Sequence, residues 1–91
     1  MSGPTSGEHE IVNPLGLHAR AVGKLVTLAT EFGAAVWVSQ GEREVNGKSS
    51  LSVLTLGAPQ GSVIELRCEG EDAVDAYAAL AALINDGFGE M

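Results

Sequence analysis

One of the two histidines, His18, stands where a predicted turn meets a predicted helix. Pro14 and Gly16 favour the turn, and apolar residues at helical spacing begin soon after His18. The first turn of a helix has backbone N–H groups without acceptors and the positive end of the helix dipole, so it attracts an anion. With the guanidinium of Arg20 close by, His18 is suited to taking up a phosphoryl group on nitrogen. The alternative is that His18 only begins the helix.

The length and charge of the chain indicate one small acidic domain. Its 91 residues leave room for one hydrophobic core, and the formal net charge is −7. Proteins that bind nucleic acids or anionic membranes need a basic surface, so the charge argues against both classes. No stretch of the sequence is long and apolar enough to cross a bilayer. The expected partners are other proteins.

Cysteine usage indicates a reducing compartment, which fits a cytoplasmic protein. Cys68 is the only cysteine, so no disulfide can form within the chain, and a buried, unreactive thiol is expected. No Cys/His cluster has metal-ligand spacing, so neither a metal nor another cofactor is predicted.

The N-terminal segment is expected to be a disordered leader. Residues 1–7 lack the basic and apolar segments of a signal peptide and are mostly small or polar. A single domain is therefore predicted over residues 8–91.

The hydrophobic pattern predicts the element order β-α-β-β-α-β-α. Strands are expected over 8–12, 34–39, 43–45 and 62–68. The first helix runs from Ala19 to a stop at Gly33, and a short helix over 49–54 is capped by Ser49. A second long helix is opened by the acidic residues at 71 and 72 and ends at Gly87. Its expected buried stripe consists of Val74, Tyr77, Leu80, Leu83 and Ile84.

Each predicted strand has one apolar face, and each long helix has one apolar stripe. In the second strand Val36 and Val38 share a face and Trp37 lies on the other. The last strand alternates in the same way, with Ile64, Leu66 and Cys68 on one face. These patterns favour an α+β fold in which helices cover one side of an antiparallel sheet.

The motifs together resemble the histidine-containing phosphocarrier (HPr) family over residues 8–87. They are Gly16-Leu17-His18-Ala19-Arg20, Lys48-Ser49, Thr55-Leu56-Gly57 with Gln60-Gly61, and Glu69-Gly70-Glu71-Asp72. The resemblance implies an open-faced β-sandwich with a four-stranded sheet. It also implies a monomeric carrier, not an enzyme, that accepts phosphoryl groups from enzyme I of the phosphoenolpyruvate-dependent phosphotransferase system and passes them to sugar-specific IIA domains.

The resemblance assigns roles to individual residues. His18 matches the histidine phosphorylated on Nδ1, and Arg20 matches the arginine that compensates the phosphoryl charge. Ser49 matches a regulatory serine that an HPr kinase/phosphorylase modifies in some bacteria, although a serine before a short helix is also an ordinary N-cap. Residues expected to dock partners are Ala19, Gly23, Lys24 and Leu51. For Leu51, a place in the core is the alternative.

The chain departs from the family pattern near this site. Ala21 replaces a proline that would preset the helix start. Thr27 and Thr30 replace basic residues of many relatives, and Ser50 replaces an apolar one, so partner contacts are expected to be weaker.

Two other functions stay open at the level of sequence. The chain could serve the regulatory nitrogen-type branch of the phosphotransferase system, or it could be an α+β interaction module in which His18 is structural. An enzyme is disfavoured because no second acid, base or metal set accompanies His18.

Overall fold

Four strands and three α-helices alternate in the predicted order β-α-β-β-α-β-α in the computed structural model, which describes residues 3–90. The elements are β1 (Thr5–Glu10), α1 (Ala19–Ala29), β2 (Ala35–Gln40), β3 (Arg43–Asn46), α2 (Ser50–Leu54), β4 (Val63–Glu69) and α3 (Ala73–Asn85). A 3-10 turn, the C-terminal turn, spans Gly87–Gly89 and follows α3.

The strands form one antiparallel sheet in the order β1-β4-β2-β3. Val36 pairs with Cys68 and Val38 with Leu66, so the apolar residues of β2 and β4 face the same side. On the open side, the guanidinium carbon of Arg67 lies 5.6 Å from the ring centroid of Trp37. The predicted faces of both strands are therefore confirmed.

The helices cover one face of the sheet and enclose the core. Cys68 is fully buried, and burial raises the pKa of its thiol, which keeps it protonated and unreactive. Within residues 3–90 no helix is long and apolar enough to cross a membrane.

The predicted buried stripe of α3 is partly wrong. Val74 is 66% exposed, and Tyr77 and Leu83 are only partly buried. Leu80 and Ile84 are buried as predicted, and the other buried residues of α3 are Ala73, Ala76 and Ala81. Small alanine side chains face the core here, and alanine is too weakly apolar to dominate a hydrophobic pattern.

The predicted disordered leader is also wrong in part. Thr5 to Gly7 belong to β1 and pair with residues 66–68 of β4, whereas residues 1 and 2 lie outside the described part of the chain. The strand ends at Glu10, so the predicted members Ile11 and Val12 follow it. A Cβ atom on Gly7 would collide with the Tyr77 hydroxyl, so a larger residue there would displace the Tyr77 side chain from its place over β1.

The C-terminal turn closes the core at one end. Phe88 has a φ of 58° and its side chain is fully buried. A left-handed backbone at a non-glycine residue costs about 1–2 kcal/mol, so burial of the aromatic ring must compensate for it. This anchor determines where the next residue, Glu90, lies.

Candidate functional site

His18 is the N-cap of α1, as the sequence predicts. Its backbone is extended, and its Nδ1 accepts a hydrogen bond from the backbone N–H of Arg20 at 3.3 Å. Its carbonyl oxygen accepts from the N–H of Val22 at 2.9 Å, which forms the first turn of the helix. The imidazole is therefore held at the positive end of α1.

The turn before His18 is fixed by close contact with a second loop. Leu17 donates its N–H to the carbonyl oxygen of Ala58 at 2.8 Å. Gly16 has a φ of 67°, and a Cβ atom there would lie 2.5 Å from the same carbonyl oxygen. Glycine is thus required both by the backbone conformation and by the space available. The packing of this loop sets the position from which α1 begins.

Sequence reasoning missed the carboxylate that contacts His18. Oε2 of Glu90 lies 2.5 Å from Nε2 of His18. The other oxygen, Oε1, accepts a hydrogen bond at 3.0 Å from the amide of buried Asn13, which also donates to the Gly16 carbonyl at 2.8 Å. Glu90 is only 15% exposed in its side chain. Asp86-Gly87-Phe88-Gly89, with its buried aromatic between glycines, is the sequence signal that this segment folds back.

These two contacts determine the tautomer of His18. A backbone N–H can only donate, so Nδ1 must present a lone pair to Arg20. An ionised carboxylate can only accept, so Nε2 must carry the proton that bonds to Glu90. The nitrogen with the free electron pair is therefore Nδ1.

Glu90 is held in its charged form. Burial raises its pKa, but hydrogen bonds from Asn13 and His18 and the nearby positive charge of Lys24 outweigh burial and leave the pKa below its usual value. Glu90 is therefore ionised at neutral pH.

An open cleft lies over the imidazole. Its lining residues are Pro14, Leu15, His18, Arg20, Lys24, Gly89 and Glu90. Within residues 3–90 the guanidinium of Arg20 makes no ion pair and no hydrogen bond, so it can bind an anion in the cleft. The Lys24 ammonium instead donates to the Phe88 carbonyl oxygen at 2.6 Å. Over the same residues no three His, Cys, Asp or Glu side chains are grouped as metal ligands.

Ser49 is the N-cap of α2. Its Oγ accepts from the Ser52 N–H at 3.3 Å and donates to the Ser52 hydroxyl at 2.9 Å. Leu51 is 75% exposed, which rules out a place in the core, and Val53 fills that place. α2 packs against α1, but Ser49 and Leu51 do not line the cleft.

The docking candidates on α1 are exposed. Ala19 and Gly23 face outward, and a Cβ atom on Gly23 would meet open space. No packing constraint therefore explains the glycine.

The side chain of His9 makes contacts that stabilise the fold and lies away from the cleft. Its Nε2 lies 2.7 Å from the Tyr77 hydroxyl and its Nδ1 lies 3.2 Å from Oδ1 of Asn85. Both ring nitrogens are thus occupied in joining β1 to α3.

The sheet covered on one face by helices, with a histidine at the start of the first helix, defines the class of small phosphocarrier domains. A family model described as the PTS HPr component phosphorylation site matches residues 5–86. The chain is 48% identical over 81 residues to the phosphocarrier protein HPr of Neisseria meningitidis, covering 89% of this chain and 91% of the relative. It is 44% identical over 80 residues to the phosphocarrier protein NPr of Shewanella violacea, covering 88% of each. The chain belongs to the HPr family and is an HPr- or NPr-type phosphocarrier of the phosphotransferase system.

Solved structures agree with this assignment. HPr-C-His from Thermoanaerobacter tengcongensis superposes with a TM-score of 0.92 at 39% identity, covering 96% of this chain and 98% of the other. The predicted open-faced β-sandwich is therefore confirmed. An HPr dimer from the same organism also matches, with a TM-score of 0.77 at 41% identity and coverage of 90% and 94%. The monomeric state of this chain therefore stays a prediction.

Proposed function

We propose that the chain accepts a phosphoryl group on Nδ1 of His18 from phospho-enzyme I and passes it to IIA domains of the sugar phosphotransferase system. The observation that carries this proposal is the orientation of the imidazole. Its lone pair lies at the N-terminus of α1, while the other ring nitrogen is occupied by Glu90. The bond from Nδ1 to the Arg20 N–H is long, at 3.3 Å, so little is lost when phosphorus replaces it.

The residues support a simple displacement. The Nδ1 lone pair attacks phosphorus as the bond between phosphorus and the donor atom breaks. The N–H of Arg20, released by Nδ1, and the Arg20 guanidinium can both bind the phosphoryl oxygens. Phosphoryl transfer depends mainly on such positioning and charge compensation, so no further protein group needs to react.

The openness of the site favours a carrier over an enzyme. One free guanidinium at an exposed helix end holds a phosphoryl group weakly, which preserves its potential for onward transfer. The catalytic groups for each step would come from enzyme I and from the IIA domain.

The direct test is incubation of the chain with phosphoenolpyruvate and enzyme I. We expect one acid-labile phosphate per chain, assigned to Nδ1 of His18 by NMR. Absence of phosphate, or an acid-stable product on another residue, would overturn the proposal and favour the non-phosphorylated interaction module.

The second candidate is the nitrogen-type branch, which the similarity to the NPr of Shewanella violacea favours. The phosphorylated chain can be offered to a sugar-type and to a nitrogen-type IIA domain at equal concentration. Faster transfer to the nitrogen-type domain would replace the sugar assignment.

Arg20→Ala is expected to slow phosphoryl transfer in both directions while preserving the fold. Loss of one charge-assisted donor from the transition state costs on the order of ten- to a hundredfold in rate at a partly exposed site. Rapid-quench measurement of transfer from enzyme I and to a IIA domain gives both rates. Arg43→Ala is the matched control, because Arg43 bonds Thr55 and lies outside the cleft. Equal rates for the two variants would rule out this role for Arg20.

Ser49→Asp is expected to weaken binding to enzyme I without unfolding α2. Aspartate is as good an N-cap as serine, so thermal stability stays near that of the parent. The added negative charge lies next to exposed Leu51. A partner that receives Arg20 and Lys24 is expected to present an acidic surface, so the charge would repel it, most strongly at low salt. Titration of enzyme I at two salt concentrations measures the effect.

Ser49→Asn is the matched control for this titration, since it retains a capping side chain without charge. Equal affinities of Ser49→Asp and the parent at low salt would show that Ser49 serves only as a cap.

A further inference from the structure

The C-terminal turn brings one carboxylate to the back of the reactive imidazole. The side chain of Phe88, in this turn, is fully buried, and the Lys24 ammonium donates to the Phe88 carbonyl oxygen. The Asn13 amide donates to the Glu90 carboxylate and orients it. Nε2 of His18 and Oε2 of Glu90 are 2.5 Å apart, on the side of the ring away from Nδ1. Three independent contacts thus place Glu90 where it can act on His18 without touching the phosphoryl group.

We propose that Glu90 is a positioning residue that keeps the Nε2 proton on His18 throughout the transfer cycle, so that phosphoryl groups enter and leave without proton transfer. This inference rests on the proposed function of His18.

The cycle balances with the proton in place. Neutral His18 carries a hydrogen on Nε2, and its Nδ1 lone pair forms the bond to phosphorus as the donor leaves. The product is a phosphoimidazolium whose positive charge faces the Glu90 carboxylate. When an acceptor attacks phosphorus, the electrons of the P–N bond return to Nδ1. The leaving group is then neutral imidazole, with its hydrogen still on Nε2.

Without the carboxylate the same cycle is vulnerable to loss of that proton. A phosphorylated ring that has lost its Nε2 hydrogen must leave as an imidazolate anion, which is a poor leaving group. An opposite charge in contact with the ring favours the protonated form. The hydrogen bond to Glu90 also occupies Nε2 and prevents it from competing as the nucleophile.

The other charged groups around the site do not replace Glu90. Arg20 and Lys24 from α1 are cations and oppose protonation of the ring. Asp86, at the end of α3, lies within 3.9 Å of the Cβ position of Gly89 and makes no contact with His18 among the described residues. The lowered pKa of Glu90 keeps its carboxylate ionised across the pH range in which the carrier would work.

The experiment compares the full chain with Glu90→Gln, which retains the shape of the side chain and removes its charge. Both proteins are phosphorylated chemically with phosphoramidate, so that enzyme I is not needed to load them. Transfer to a IIA domain is then measured from pH 6 to pH 10. We expect the two proteins to transfer at the same rate at low pH. As the pH rises, transfer from Glu90→Gln should begin to slow at a pH about one to two units below the pH at which the parent begins to slow.

Glu42→Gln is the control for loss of one negative charge, because Glu42 is exposed between β2 and β3, away from the cleft and from α1, and its profile should match the parent. If parent and Glu90→Gln share one pH profile, the inference is wrong while the proposed function stands. If the parent takes up no phosphate on His18 from either phosphoramidate or enzyme I, the proposed function fails and the inference fails with it.

Discussion

His18→Asn should abolish the acid-labile phosphate and leave the chain folded. Asparagine is a favoured N-cap and can accept the Arg20 N–H that Nδ1 accepts now, so the start of α1 is preserved. It has no nucleophilic nitrogen, so phosphate incorporation should fall by more than about a thousandfold. Incorporation from phosphoenolpyruvate and enzyme I, measured beside a melting curve, separates loss of chemistry from loss of fold.

His9→Gln is the matched control, since His9 is the other histidine of the sequence. Both of its ring nitrogens face Tyr77 and Asn85, so its replacement should leave phosphate incorporation at the parent level. An acid-labile phosphate that persists in His18→Asn and disappears in His9→Gln would reverse the assignment of the acceptor.

The features predicted correctly from the sequence depend on local chemistry. Strand alternation gives the buried faces of β2 and β4, because side chains of a strand point to opposite sides. The helix starts at His18 and Ser49 are found because a turn or a polar residue precedes a run of apolar residues at helical spacing. Each signal lies within a few residues of the position it determines.

The features that were missed depend on contacts between distant parts of the chain. Gly7 disfavours a strand and Thr5 alone is too short a signal to predict one, so Thr5 to Gly7 form β1 because β4 lies beside them. Asp72 was expected only to favour the helix dipole. Its carboxylate instead accepts from the N–H groups of Gly33 at 2.9 Å and Ala34 at 2.7 Å. The hydrogen bond from Gly33 is the main reason that the pKa of Asp72 is lowered.

Glu90 belongs to the same group of long-range effects. It reaches His18 across 72 positions of sequence. Gly87-Phe88-Gly89 indicates a turn, but no local pattern specifies that the turn approaches His18. The placement follows from a buried ring and a left-handed backbone at Phe88. One apolar residue outside the cleft therefore supports both the core and the geometry of the candidate site.

Phe88→Ala is expected to affect stability and site together. Truncating a fully buried phenylalanine costs about 3–5 kcal/mol through lost burial and the cavity left behind. Without this anchor the C-terminal turn should detach and Glu90 should leave Nε2 of His18. Denaturant unfolding gives the change in free energy of unfolding, and NMR of the His18 ring nitrogens reports whether Nε2 keeps its hydrogen-bonded proton.

The variants Phe88→Leu and Glu90→Gln separate the loss of stability from the loss of the contact between Glu90 and His18. Leucine retains most of the apolar volume, so it should lose less stability than alanine and keep Glu90 in place. Glu90→Gln retains the buried ring and should change the His18 ring while the core stays intact. A loss below about 1 kcal/mol in Phe88→Ala would mean that the ring contributes little to anchoring the turn. An unchanged His18 ring in that variant would mean that Asn13 and Lys24 hold Glu90 in place without it.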